Sequence, residues 1–276
     1  MSKTIANILH GAIKTCLAPI SHRPRQKTLA RLIRKLEETG VEVVDTKRGP
    51  LKFLALRGAG IASAVVTFES NEPETLYWLD TYIKPADVIW DIGASVGVYA
   101  LYAGLQKDIA VYAFEPSALN YALLMEHVAL NNLSDQVMPL CVGLSDETKM
   151  NVLHMAQYDP GSAGNSLGGA PTYAGTLINA TFKQPVPSFT GDEAVRILGL
   201  KKPDHVKLDV DGIEGAILRG MPEALLHAKT VIVEVEGKNA LEAETRIDQP
   251  LLAAGFKENL SFRDMGSKRN RLFIKM

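Results

Sequence analysis

The strongest constraint on how this chain folds is an alternation. Short, nearly continuous apolar runs at about residues 87–92, 109–114, 136–143, 205–210 and 230–236 are separated by segments of helical periodicity. Runs apolar on both sides suit strands buried on both faces of a parallel sheet. The intervening "SALNYALLMEHVALNN", opened by Ser117 as an N-cap, reads as a crossover helix. "PETLYWLDTYI", with Pro73 near its start, reads as a helix leading into the first run. Strand, helix, parallel strand repeated in this way predicts an α/β fold with a doubly wound, Rossmann-like sheet. "GFKENLSF" and "RLFIKM", joined through the polar "RDMGSKRN", predict a closing hairpin that adds an antiparallel edge.

The chain before residue 71 differs in character. Residues 1–50 carry ten Lys or Arg against four Asp or Glu, leaving a charge of −7 on the other 226 residues of a chain whose net charge is −1. In "TLARLIRKLEE", Leu29, Leu32, Ile33 and Leu36 fall at helical spacing with Arg31, Arg34 and Lys35 opposite. Such a basic amphipathic helix can pack on its own domain, on a second copy as a homo-oligomer, or on an anionic membrane as a peripheral contact. "VEVVDTK", "PLKFLAL" and "ASAVVTF", separated by "RGP" and "RGAG", predict a small three-stranded β meander covering the entrance to the rest. Expected domains are therefore 1–70, a helical segment plus meander, and 71–276, the main domain. No run reaches the roughly 18 apolar residues that a membrane-spanning helix needs. No cleavable signal follows the short apolar start, and only Cys16 and Cys141 are present. A cytoplasmic protein, at most peripheral at a membrane, is the expectation.

In open parallel sheets ligands bind beyond the carboxyl ends of the strands. Asp91, Glu115, Ser145, Asp146, Asp209, Asp211, Glu234 and Glu236 all fall at or near such ends, so that edge is acidic. "DVIWDIGASVGVYALYA" places Gly93 and Gly97 five positions apart inclusive, which is neither the G-x-G-x-x-G dinucleotide fingerprint nor a P-loop. A pyrophosphate would be repelled beside Asp91, whereas a ligand bearing an ammonium and a sulfonium would be favoured. S-adenosylmethionine is such a ligand, and Glu115 lies where an acid can meet its ribose hydroxyls. Taken alone, a Gly-x-x-x-Gly can also be a strand-to-helix turn that only needs room.

"WDIGASVGVYALYA", "VYAFEPSALNYALL", "LCVGLSD" and "HVKLDVDGIEGAILRG", together with the approach "EPETLYWLDTYIKPADVIWDIG", resemble in order the motifs of the FkbM family of S-adenosylmethionine-dependent methyltransferases. The likeness runs over about residues 71–276. It implies a seven-stranded, mostly parallel sheet ending in a reversed hairpin. It also implies that Asp91 and the backbone of Gly93, Ala94, Ser95 and Gly97 hold the methionine part, Glu115 the ribose, and Ser145 and Asp146 the adenine side. Ser95 stands where the family usually has Asn, and "SFTGDEAVRIL" where many relatives have a Leu-Asp pair.

For the chemistry, "KLDVDGIEG" sets Lys207, Asp209 and Asp211 on one strand face by alternation. Lys207 and Asp209 need to pair with each other or with a ligand if buried. Asp211 and Glu214 can equally form a capping box at a helix start. Methyl transfer to a hydroxyl requires alignment and removal of one proton, and Asp209, Asp211 and His154, in that order, are candidate bases; Asp209 is also a candidate cofactor contact, and His154 can equally be a merely packed or solvated residue. No metal is expected, a hard cation held by these carboxylates being the lesser alternative. The insertion at about 147–204, with "DPGSAGNSLGGAPTYAGT" at its centre, is expected as an irregular acceptor-recognising lid or a disordered loop. The acidic edge and the 7% aromatic content argue against nucleic acid. The expected function is O-methylation of a hydroxyl on a sugar, glycolipid or secondary metabolite. Its rivals are a catalytically silent adaptor that keeps the cofactor fold and a nicotinamide-dependent oxidoreductase or epimerase.

Overall fold

The computed structural model describes residues 2–162, 164–169, 179–235 and 240–276, without the side chains of residues 2, 3, 59 and 240–244. It divides into two compact units, Met1–Val41 and Glu42–Met276. The first is a pair of helices, α1 (Ser2–Leu17) and α2 (His22–Thr39). No residue of α2 is buried, and Ile5, Ile8, Leu9, Ile33 and Leu36 expose half or more of their surface.

The second unit opens with a hairpin, β1 (Val41–Thr46) and β2 (Gly49–Leu54), a single 3₁₀ turn, then α3 (Ala59–Val66) and α4 (Pro73–Tyr82). The third meander strand expected in "ASAVVTF" is instead α3. A strand there would have to bury alternate residues, whereas this segment buries only Ile61 completely and leaves Val66 85% exposed. Gly60 also lies so close to the carbonyl of Gly161 that a Cβ would overlap it. The unit boundary falls at Val41, ahead of the expected 70, because the hairpin packs on the larger body. Leu54 N donates to His127 Nε2 (3.1 Å), and Arg48 Nη2 donates to Leu79 O (2.6 Å).

The main sheet contains β3 (Val88–Ile92), β4 (Ala110–Phe114), β5 (Val137–Leu140), β10 (His205–Leu208), β11 (Thr230–Glu234), β12 (Phe256–Glu258) and β13 (Asn270–Lys275). Its order is β12-β13-β11-β10-β3-β4-β5. Neighbours from β11 to β5 are parallel, and β13 runs antiparallel to both β11 and β12, as the closing hairpin predicts. Every residue of β3 and β10 is buried, which accounts for their largely apolar runs, with Asp91, His205 and Lys207 as buried exceptions. One face packs Ile89, Val111, Ala113 and Ile232 against Trp78 and Leu101; the other packs Trp90, Phe114, Val206 and Val233 against Ile217, Leu218 and Met221. Crossovers are supplied by α5 (Val98–Gly104) and α6 (Ala118–Leu130) on one stretch of chain and α8 (Glu214–Arg219), α9 (Pro222–His227) and α10 (Ala240–Ala253) on the other. Ser117 caps α6 as expected, its side chain accepting from Asn120 N.

The expected strand 136–143 ends at Leu140, and the chain enters a second sheet. Its strands are β6 (Gly143–Leu144), β7 (Lys149–Met155), β8 (Ser166–Leu167) and β9 (Phe182–Phe189), in the order β6-β9-β7-β8. α7 (Gly191–Leu198) then leads back. Among its described residues the insertion holds a small sheet with a long hairpin on either side of the expected lid centre. Pro185 and Pro187 inside β9 concealed it, since proline cannot donate to a ladder and is confined to strand edges. Residues 163 and 170–178 of its expected lid lie outside the described residues, as does Glu236.

Candidate active site

The sheet order reverses between β3 and β10, and a cavity of about 340 Å³ opens beyond their carboxyl ends. Its floor is Gly93 and Ser95 after β3, Glu115 and Pro116 after β4, and Asp209, Val210 and Asp211 after β10. Its roof is Leu153, Ser162, Gly164, Asn165 and Leu167 of the insertion, and one end is closed by Glu72, Glu234 and Arg269.

The glycine-bearing turn explains itself in backbone terms. Gly93 has φ +86°, and a Cβ there would overlap the Asp209 carbonyl oxygen, so no other residue lets β3 and β10 meet at this point. Gly93 N and Ala94 N both donate to Phe114 O (3.0 Å each). Gly97, at φ +93°, opens α5 and leaves room for Leu124. Ser95 has φ +50°, a conformation that Asn adopts more readily than Ser, which gives a backbone reason for the residue type usual in that place. Neutral His127 braces the turn: its Nε2 accepts from Leu54 N, leaving Nδ1–H to donate to Val96 O (2.9 Å).

Glu115 is buried, with Oε2 accepting from Ser95 N and Oε1 from Ser117 N (2.8 Å each). Burial lifts its carboxyl to about 7 against those two donors. Asp91 is 3% exposed, and its Oδ1 has no hydrogen-bond partner among the described residues. Burial raises it to about 6, with Lys207 opposing.

Lys207, register partner of Asp91 across β3 and β10, is the centre of the charged end. Its Nζ is 2.6 Å from Asp209 Oδ2 and 5.1 Å from the centroid of the Tyr99 ring. Burial alone would discharge this lysine, but Asp209, Asp91 and Glu72 outweigh it and hold its pKa above the usual value. Asp209 is pulled below the usual carboxylate range by Lys207 and by a hydrogen bond with Glu234, in spite of its burial. Glu234 is pushed up to about 9, first by burial and then by Asp209, although Arg269 Nη1 lies 3.1 Å away. Arg269 Nη2 also reaches Glu72 (3.5 Å), whose Oε2 accepts from Thr75 Oγ1 (2.9 Å). Four carboxyl groups therefore meet two cations around Lys207 and Arg269, Glu234 among them as the neutral acid near pH 7.

Other expected site residues fall elsewhere. β10 ends at Leu208, so Asp211 lies in the bend that follows, not on a strand face with Lys207; it lines the cavity all the same. The capping box does not form, because Ile213 is the N-cap of α8 and Glu214 accepts from Gly212 N (3.2 Å). Asp91, Ala94 and Gly97 build the strand end and turn without lining the cavity, and Ser145 and Asp146 lie outside its walls. Asp146 is bound to Arg219 (2.9 Å), which keeps its carboxyl below the usual range. His154 is next to cavity-lining Leu153 on β7, so alternation turns it to the other face. Sequence reasoning passed over Glu72, Tyr99, Asn120, Asn165 and Arg269. Only Glu72 carried a local signal, an acid directly before the Pro73 that starts α4.

The Methyltransferase FkbM domain matches residues 91–258, well over half the chain. The chain belongs to the FkbM methyltransferase family. Hexuronic acid methyltransferase AglP of Haloferax volcanii is 31% identical over 151 residues, 54% of this chain and 56% of that protein. The 31-O-demethyl-FK506 methyltransferase FkbM of Streptomyces tacrolimicus is 32% identical over 56 residues, 20% of this chain and 22% of that one. The chain thus matches about half the length of the first relative and less of the second. Among solved structures, Aeropyrum pernix fibrillarin, in complex with natively bound S-adenosyl-L-methionine, superposes with a TM-score of 0.42 at 12% identity, covering 85% of this chain and 81% of that one. The switch-point cavity of this FkbM-family chain is lined by the acids Glu72, Glu115, Asp209, Asp211 and Glu234. No described helix is long and apolar enough to cross a membrane.

Proposed function

We propose that this chain is an S-adenosylmethionine-dependent O-methyltransferase acting on a hydroxyl of a small molecule or glycan: a sugar, a glycolipid head group or a secondary metabolite. The observation that carries it is the acidic floor of the cavity, where Glu115 stands beside Gly93 and Ser95 and the unpartnered, buried Asp91 Oδ1 lies directly behind that wall. A buried carboxylate oxygen without a donor is costly, and a ligand ammonium relieves that cost where a phosphate would raise it. Asp91 and the turn from Gly93 to Gly97 would hold the methionine part, and Glu115 the ribose hydroxyls. When bound, the cofactor supplies an electrophilic methyl on a good leaving group.

Asp209 is the base. It lines the cavity as an anion fixed by Lys207, and a carboxylate held low is a weak base. It therefore accepts the hydroxyl proton as the new bond forms, not beforehand. Asp211 is the second candidate; His154, facing away from the cavity, is not retained. The neutral polar groups of the roof suit a hydroxyl-rich acceptor, in keeping with the hexuronic acid and the 31-O-demethyl-FK506 that the relatives' names give. The exposed isoleucines of α1 and the basic side of α2 support a peripheral contact with an anionic membrane.

Calorimetry with S-adenosylmethionine and with NADP tests the reading. Glu115→Ala is expected to weaken binding of the former by about 1.5–3 kcal/mol, through loss of charge-assisted hydrogen bonds. Tight NADP binding with none of S-adenosylmethionine would favour the oxidoreductase, and an unchanged dissociation constant would take Glu115 out of the site. Cofactor binding with no transfer to any hydroxyl acceptor would favour the adaptor.

A further inference from the structure

The roof of the cavity holds an acceptor with nothing to accept from. Asn165 Oδ1 is screened from solvent and has no partner among the described residues, while Nδ2 of the same amide donates to Ser162 O (3.4 Å). The oxygen is not there by default of position. Two residues on, Leu167 packs on Gly143, pairs in register with Leu153, and leaves no room for a Cβ at Gly143. Four residues before Asn165, Gly161 N donates to Asn120 Oδ1 (2.8 Å), tying the segment to the residue whose Nδ2 reaches Glu115. Asn165 is therefore held at both sides, at the rim of a slot whose walls are Pro116, Val142, Leu144, Leu153 and Leu167.

An apolar slot of this kind accepts a flat aromatic ring, and an orphaned amide oxygen at its rim asks for an N–H on the ring's edge. The carboxylate that the family resemblance assigns to adenine is otherwise engaged. Asp146 is outside the cavity walls and paired with Arg219.

We infer that Asn165 Oδ1, in place of Asp146, accepts from the exocyclic amino group of a purine seated in this slot. The inference rests on the proposed S-adenosylmethionine site, and it assigns the reading of the base to the acceptor-side insertion. The insertion then senses the nucleoside as well as covering the acceptor.

The test is calorimetric, on the full chain, with S-adenosylhomocysteine and its 6-oxo analogue S-inosylhomocysteine. The unchanged protein should prefer the amino compound by about tenfold or more, because the analogue sets a carbonyl against the Asn165 oxygen. Asn165→Leu should bring the ratio close to one, and Asn165→Asp, which keeps an acceptor, should preserve it. Should Asn165→Leu fail to fold by circular dichroism, Asn165→Ser, which withdraws the oxygen, is read in the same way. A ratio that survives loss of the acceptor overturns the inference, as does a collapse produced by Asp146→Ala. Failure of S-adenosylhomocysteine itself to bind the unchanged protein strikes the cofactor reading, a result distinct from binding of both nucleosides without discrimination.

Discussion

Replacing Lys207 with Met retains most of the side chain's length and removes only its ammonium. The group removed is 2.6 Å from Asp209, on a side chain 4% exposed, and stands opposite Asp91 in the ladder of β3 and β10. Deleting one partner of a buried pair costs about 3–5 kcal/mol, because the other is left charged and unneutralised. At roughly 2–4 °C per kcal/mol for a protein of this size, the midpoint should fall by about 6–20 °C at pH 8. The deficit should depend on pH, and its sign is fixed. Asp91 already has a folded pKa raised to about 6, and loss of Lys207 raises it further. A group raised in this way contributes its full stability below its unfolded pKa of about 3.9 and loses it as pH rises through the folded value. The variant should therefore lie closest to the unchanged protein near pH 5 and diverge towards pH 8. Urea unfolding at both pH values measures this. A deficit under about 1 kcal/mol, or one equal at the two pH values, would refute the view that Lys207 is the counter-charge of this cluster.

Gly93→Ala forces a side chain into a left-handed backbone position and against the Asp209 carbonyl, so we expect a loss of about 2–5 kcal/mol from strain and overpacking together. Unfolding within about 0.5 kcal/mol of the unchanged protein would show that the turn can relax. Glu234, raised to about 9, should make stability decline as pH climbs from about 7 to 9, and Glu234→Gln should flatten that stretch of the curve. Parallel curves would mean that Glu234 is not the group titrating. Ile8→Asp should abolish co-sedimentation with phosphatidylglycerol vesicles, and high salt should weaken it in the unchanged protein. Equal binding to neutral vesicles, or none to either kind, would count against the membrane contact.

The sheet was legible because each central strand is buried on both sides, so Val88–Ile92 and His205–Leu208 show their state without reference to partners. The glycine turn was legible for a similar reason, since backbone crowding restricts residue type locally. The charged end was harder to read. Glu72 and Arg269 meet only because sheet order brings the approach to β3 beside the hairpin before β13, and nothing in either neighbourhood announces the other. Asp146 and His154 sat at plausible places in the chain, yet one is held by Arg219 from α8 and the other is turned away by strand alternation. Whether a strand-end acid faces the cavity depends on partners that lie far along the chain. The "AVV" run of α3 misled for the opposite reason, β-branched propensity being overridden by one buried isoleucine and a tight glycine contact.

The inserted sheet begins and ends at nearly the same point in space. Ser145 N donates to Phe189 O (2.9 Å), and Thr190 N donates to Thr148 Oγ1 (3.0 Å), so the two stems of the excursion are stitched together where it leaves the main body. A segment rooted on such a narrow base can be exchanged for one of another length without displacing the strands on either side, since closing the ends is already accomplished. That gives a natural pair of splice positions for chimaeras, and a physical reason why the excursion can be exchanged while the main sheet stays as it is.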